Sequence, residues 1–74
     1  MARARLPMPD LFGDALPTLV DQIAEVRREI GQRKRAYPRW IAGGTLKQHT
    51  ADQRMSAMRA ALHTLETLLE AQKQ

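Results

Sequence analysis

The side chains in this sequence best suited to binding chemistry are basic, and half of the basic residues lie in one short window. Six of the 12 lysines and arginines fall between Arg27 and Arg39, where Glu29 is the one acid. At about 100° per residue, a helix would place four of these cations around Gly31, which has no side chain to block an approaching anion. Converging cations of this kind bind a phosphate or a carboxylate. The predicted anion- or nucleic-acid-binding residues are Arg27, Arg28, Lys34, Arg35 and Arg39.

A simpler interpretation of the same cations stays open. Basic residues on a helix often form a solvated face, and Glu25 and Glu29 stand at spacings that allow local ion pairs. The last turn of a helix also favours cations, because its free carbonyls carry partial negative charge.

Nothing in the sequence has the pattern of a catalytic or metal site. His49 and His63 are 14 residues apart and there is no cysteine. His63 lies near Arg59, Glu66 and Glu70 on the polar side of the second predicted helix, where a solvated ion-pair face is the common arrangement. Gly43-Gly44 lacks the Lys-Ser/Thr pair that completes a phosphate-binding loop. We therefore predict no catalytic residue, no metal and no cofactor, and a protein that is not an enzyme.

Length and composition set the scale of the fold. A chain of 74 residues with no cysteine and a net charge of +4 forms one small domain without disulfides. Such a small core needs support from a partner or a second copy. No apolar run approaches the roughly 20 residues of a membrane span, and the first residues lack the apolar stretch of a secretory signal. We expect a cytoplasmic protein without membrane contact.

Two segments carry the three- and four-residue apolar spacing of amphipathic helices. The first helix is predicted over about 18–36, with Thr18 and Asp21 as a capping box and Pro38 disfavouring further helix. The second is predicted over about 50–72, where Thr50 and Gln53 form a second capping box.

These helices, joined by a loop over 37–49, predict an all-α fold. Its architecture is an antiparallel two-helix hairpin over 18–74, preceded by an irregular arm over 1–17. The arm is rich in proline and has neither helical nor strand periodicity.

The apolar arc of the second helix is wider than the roughly 100° that one partner helix covers. The surplus strip is predicted to mediate self-association, because small side chains allow a second copy to approach closely. An alternative is that the N-terminal arm covers the strip. The strip consists of Ala57, Ala61 and Leu68.

Met8-Pro9-Asp10-Leu11-Phe12 resembles the short peptide by which proteins dock on the bacterial sliding clamp, usually Gln-Leu-Ser/Asp-Leu-Phe. The match covers Asp10, Leu11 and Phe12, whereas Met8 stands where glutamine is usual. In that peptide the Leu-Phe pair fills an apolar pocket, which implies that Leu11 and Phe12 are partner-binding residues. The alternative is that both fold back on the surplus strip.

The stretch from Glu25 to Leu65 is similar to a group of small bacteriophage and prophage proteins in which a helix ends in Tyr-Pro-Arg-Trp/Phe. The resemblance implies a phage-encoded accessory protein acting in a host bacterial cell, and it implies no reaction. The matching residues are Glu25, Arg28, Glu29, Arg33, Tyr37, Pro38, Arg39, Trp40, Ile41, Gly44, Leu46, Ala51, Met55, Met58, Ala61, Thr64 and Leu65.

The sequence thus predicts a non-enzymatic protein that binds a host protein of DNA replication, transcription or antiviral defence. Its apolar anchors are Leu11 and Phe12 or the loop aromatics Tyr37 and Trp40, and its cations steer it to an acidic surface. Two alternatives stay open. One is non-specific binding of nucleic acid or nucleotide through the basic helix face, and the other is a structural, oligomer-forming phage component.

Overall fold

The protein is described by a computed structural model over residues 16–73. Two α-helices, α1 (Leu19–Ala42) and α2 (Gln48–Gln72), make up nearly all of this part of the chain, and it contains no strand. The two helices pack against each other and run antiparallel. Their orientation is shown by the ion pair of Arg27 with Glu66 at one end and by the groove that Tyr37 and Ala51 line together near the connection. The predicted all-α class is confirmed. Of the predicted arm over 1–17, residues 1–15 lie outside the described part.

The N-terminus of α1 is the predicted capping box. The Asp21 N–H donates to the Thr18 hydroxyl at 3.1 Å, and the Thr18 N–H donates back to the Asp21 carboxylate at 3.1 Å. Two backbone donors that the helix leaves unpaired are satisfied in this way. The negative charge of Asp21 also interacts favourably with the positive end of the helix dipole.

Thr18→Ala should therefore destabilise the hairpin. We expect a loss of about 1 kcal/mol in the free energy of unfolding, because one capping hydrogen bond disappears. Thermal unfolding followed by circular dichroism measures it. Thr64→Ala, an exposed change in the interior of α2, is the control, and equal losses in the two variants would contradict this role for Thr18.

The predicted end of the first helix, near residue 36, is wrong. Helix α1 runs through Pro38 to Ala42, and Tyr37 and Trp40 therefore lie in a helix and not in the predicted loop. A proline removes one N–H from the helix and disfavours the conformation of the residue before it. The helix continues here because the Tyr37 side chain is buried against α2, so tertiary packing offsets the local cost.

Three hydrogen bonds of the connection between the helices meet at one carbonyl group. The Trp40 carbonyl accepts hydrogen bonds from the Thr45 N–H at 2.9 Å, the Leu46 N–H at 3.2 Å and the Thr45 hydroxyl at 3.2 Å. Gly44 makes this return possible, because its φ of +81° is a left-handed conformation that glycine adopts without a steric cost. The chain is thereby folded back tightly against the last turn of α1.

The start of α2 also differs from the prediction. The helix begins at Gln48, two residues early, and the predicted capping box of Thr50 and Gln53 is absent from this terminus. The reason is that the Ala51 N–H donates to the Lys47 carbonyl at 3.0 Å, which closes the first turn before Thr50 is reached. The predicted end of the helix, at about 72, agrees with the structure.

The core of the hairpin is small. Three apolar residues in the described part are buried: Ile23 at 5% exposure, Tyr37 at 7% and Ala51 at 3%. The rest of the apolar seam between the helices stays half-buried, since each helix has one neighbour only. These half-buried residues are Leu19, Val26, Ile30, Ile41, Met55, Met58, Leu62, Leu65 and Leu69.

Candidate functional site

Two of the five predicted anion-binding residues are engaged in ion pairs within the chain. Arg27 donates to the Glu66 carboxylate across the helix interface, and Arg28 donates to Glu25 at 2.9 Å within α1. The hydrogen bond to Glu25 also raises the pKa of Arg28. The charge of both arginines is therefore partly neutralised before any ligand arrives, although these pairs are exposed and screened by solvent.

The other three predicted cations have no carboxylate partner between residues 16 and 73. Lys34, Arg35 and Arg39 are all exposed on α1, and we refer to them together as the cationic surface. The Arg35 guanidinium lies beside Gly31, 3.8 Å from the point where a Cβ would stand. The bare patch at Gly31 is thus partly covered by a guanidinium that can itself meet an anion.

The predicted aromatic anchors form a pair with unequal exposure. The ring centroids of Tyr37 and Trp40 lie 5.8 Å apart with planes tilted by 44°, within the range of favourable aromatic contacts. Tyr37 is buried, whereas Trp40 keeps 47% of its surface exposed. Tyr37 therefore serves the core and supports Trp40, which is the aromatic side chain that a partner can reach.

An open pocket of about 440 Å³ lies beside Trp40, between the two helices. We call it the Trp40 pocket, and it is lined by Glu29, Arg33, Tyr37, Trp40 and Arg54. Arg33 donates to Glu29 at 2.9 Å, a bond that raises the pKa of Arg33 and fixes its guanidinium. Arg54 reaches the pocket from α2, and no carboxylate of the described chain pairs with it.

The Trp40 pocket and the cationic surface lie on different sides of α1. At about 100° per residue, Lys34, Arg35 and Arg39 stand roughly 100–140° around the helix axis from Trp40, so they point away from the pocket without standing directly opposite it. The sequence predicted the aromatic residues as apolar anchors and the cations as steering charges, and the structure places these two sets on different parts of the surface of α1.

Sequence analysis did not identify Arg54 as a site residue. The spacing of Arg33, Tyr37 and Trp40, at steps of four and three, was a visible signal for a shared helix face. What the sequence did not provide was the register of α2, which decides that Arg54 faces this pocket. That register depends on where the connection ends, and this point was predicted two residues late.

The predicted self-association residues are solvent-exposed in the hairpin. Ala57, Ala61 and Leu68 all lie on the outer side of α2, and Leu68 is 50% exposed. Self-association itself stays a prediction. Leu11 and Phe12, the other predicted partner-binding residues, fall outside the described part of the chain.

A second groove of about 530 Å³ lies on the other side of Tyr37, next to the connection. Its lining is mostly apolar and includes Pro38, Ile41, Ala51 and Met55. Within residues 16–73, no three His, Asp or Glu side chains come together as metal ligands would. Neither of the two helices is both long and apolar enough to span a bilayer.

Comparisons with protein-family models, with curated proteins and with solved structures gave no match to this chain. Its function must therefore be inferred from the residues and the geometry described above.

Proposed function

We propose that this chain is a non-enzymatic, phage-type accessory protein that acts in the cytoplasm of a bacterial host. It binds and modulates a host protein of DNA replication, transcription or antiviral defence. The observation that carries the proposal is the cationic surface, where Lys34, Arg35 and Arg39 are exposed and unpaired with any carboxylate of the described chain. Such a surface complements an acidic protein face.

The cations and the apolar anchors have different tasks in this proposal. Unpaired charges steer the encounter and select the face of the partner, while buried apolar contacts supply most of the affinity. The Leu11-Phe12 pair, with its similarity to a clamp-docking peptide, is one candidate anchor, and exposed Trp40 is the other.

Direct binding of nucleic acid is the second candidate, and the same three cations favour it. Nucleic-acid affinity grows with the number of phosphates that lysine and arginine neutralise, and strongly bound proteins make about 6–10 such contacts. Because Arg27 and Arg28 already pair with Glu66 and Glu25, the hairpin has fewer cations to offer. Since the hairpin has fewer free cations than strong nucleic-acid binding uses, we place a protein partner first.

A pull-down from bacterial lysate tests the proposal. The tagged native chain should retain a host protein after nuclease treatment. A variant with Lys34, Arg35 and Arg39 replaced by glutamine should lose at least about 90% of it, since each lost hydrogen bond from a charged group costs about tenfold or more in affinity. A matched variant with Lys47, Arg59 and Lys73 replaced by glutamine has the same net charge and should retain the partner.

Three outcomes would overturn parts of this picture. Equal losses in the two triple variants would show that net charge, and not the cationic surface, drives the binding. Capture of nucleic acid alone, with an affinity that falls steeply with salt, would favour the second candidate. If Leu11→Ala with Phe12→Ala releases nothing while helicity is intact, the arm is not the anchor.

A further inference from the structure

We propose that the Trp40 pocket is a binding site for an acidic peptide segment in which a carboxylate stands next to an aromatic or apolar side chain. This inference rests on the proposed function, because it names the chemistry of the partner segment that the chain would bind. The site itself is separate from the cationic surface, and none of the residues Lys34, Arg35 and Arg39 lines it.

The net positive charge of the pocket lining favours binding of an anion. Glu29 and Arg33 neutralise each other through their 2.9 Å hydrogen bond, which leaves the Arg54 guanidinium as the uncompensated charge in the lining. A guanidinium donates two parallel hydrogen bonds to a carboxylate, and such charge-assisted pairs are stronger than neutral hydrogen bonds.

The apolar half of the site is held in place before a ligand arrives. The Trp40 ring packs against buried Tyr37 in a tilted arrangement, and the Trp40 carbonyl accepts three hydrogen bonds from Thr45 and Leu46. A residue whose backbone and ring are both supported loses little conformational freedom when it binds. Its exposed ring face therefore offers an apolar contact next to Arg54.

The same geometry argues against a nucleic-acid strand in this pocket. A strand brings a phosphate with every nucleotide and gains affinity from each one that a cation neutralises, whereas Arg54 is the one uncompensated cation in this lining. One uncompensated cation and one exposed ring suit a single carboxylate with a single apolar neighbour.

Trp40 is the one tryptophan of the chain, so its fluorescence reports directly on the pocket. The probe is a blocked peptide, Gly-Glu-Phe-Glu-Gly, titrated into the full chain at constant ionic strength. We expect a saturable change in Trp40 emission, and a peptide with both glutamates replaced by glutamine should bind about tenfold more weakly or worse, because its charge-assisted hydrogen bonds are lost.

Two variants of α2 make the test specific. Arg54→Gln should weaken binding of the acidic peptide about tenfold. Arg59→Gln removes an equal charge from an exposed position of the same helix outside the pocket, and it should leave the binding unchanged. Circular dichroism checks that both variants stay helical. In the native chain and in Arg59→Gln, the NMR shift of the Arg54 Nε–H gives a second readout that does not depend on Trp40.

The proposal is overturned if the acidic peptide leaves Trp40 emission and the Arg54 Nε–H unchanged, or if the two arginine variants weaken binding equally. Tighter binding of a short oligothymidylate than of the acidic peptide would also overturn it and assign the pocket to nucleic acid. None of these measurements uses a host partner or the cationic surface, so a negative result here and a failed pull-down are distinguishable.

Discussion

Tyr37→Ala is expected to abolish most of the helical circular dichroism signal of the isolated chain. Tyr37 is one of three buried apolar residues in the described hairpin, and it lines the groove between the helices together with Ala51. Replacing a buried aromatic ring by alanine costs about 3–5 kcal/mol. A domain of this size rarely has more than about 3–5 kcal/mol of stability from its core, so the loss is comparable with the whole.

The control for this prediction is a change of the neighbouring aromatic residue. Trp40→Phe removes atoms from a side chain that is 47% exposed, and it should leave the midpoint of urea unfolding nearly unchanged. If Tyr37→Ala retains a cooperative transition at the native midpoint, the interface near Ala51 does not hold the hairpin together. Unfolding in urea with far-ultraviolet detection measures both variants.

Pro38→Ala should change the free energy of unfolding in the opposite direction from Tyr37→Ala and stabilise the hairpin. Helix α1 continues for four residues beyond Pro38, so the proline lies in a helix interior, where its missing N–H leaves the Lys34 carbonyl without its usual donor. A proline there costs about 3 kcal/mol relative to alanine, and its restriction of the unfolded chain returns at most about 1 kcal/mol. We expect a net gain of about 2 kcal/mol in the free energy of unfolding.

The same urea titration checks this gain, with Pro17→Ala as the matched control. Pro17 precedes the cap of α1, and its carbonyl acceptor for Gln22 is retained by alanine, so no gain is expected there. A Pro38→Ala variant that is no more stable than the native chain would mean that the chain does not continue as a helix through Pro38 in solution.

The fold class and the pairing of the two helices could be predicted from the sequence because both depend on periodicity that the residues carry themselves. Leu19, Ile23, Val26 and Ile30 mark one face of α1, and the Thr18 cap depends on local spacing alone. The two boundaries next to the connection could not be predicted in this way. They depend on the burial of Tyr37 and on the hydrogen bonds to the Trp40 carbonyl, which are tertiary and loop contacts.

In the candidate site, too, features set by local spacing could be predicted and features set by tertiary contacts could not. Helical spacing was enough to place Lys34 and Arg35 near Gly31, and both are exposed in the structure. Spacing within one helix could not show that Glu66 of the other helix would pair with Arg27, because these residues are 39 positions apart. For the same reason Arg54 was missed, since the position that it occupies beside Trp40 exists only after the chain has folded back.

The short connection over 43–47 has a kinetic consequence. Contacts near it, such as those that bring Tyr37 and Ala51 to one groove, join residues close in sequence and need only a small loop to close, an event of about 10–100 ns for ten residues. The Arg27–Glu66 contact joins distant residues, and we expect it to form later, after the helices have paired near the connection. We expect opening to follow the reverse order. The connection end, which holds the Trp40 pocket, is then the last part to lose protection from amide hydrogen exchange, and the end near Leu19 is the first.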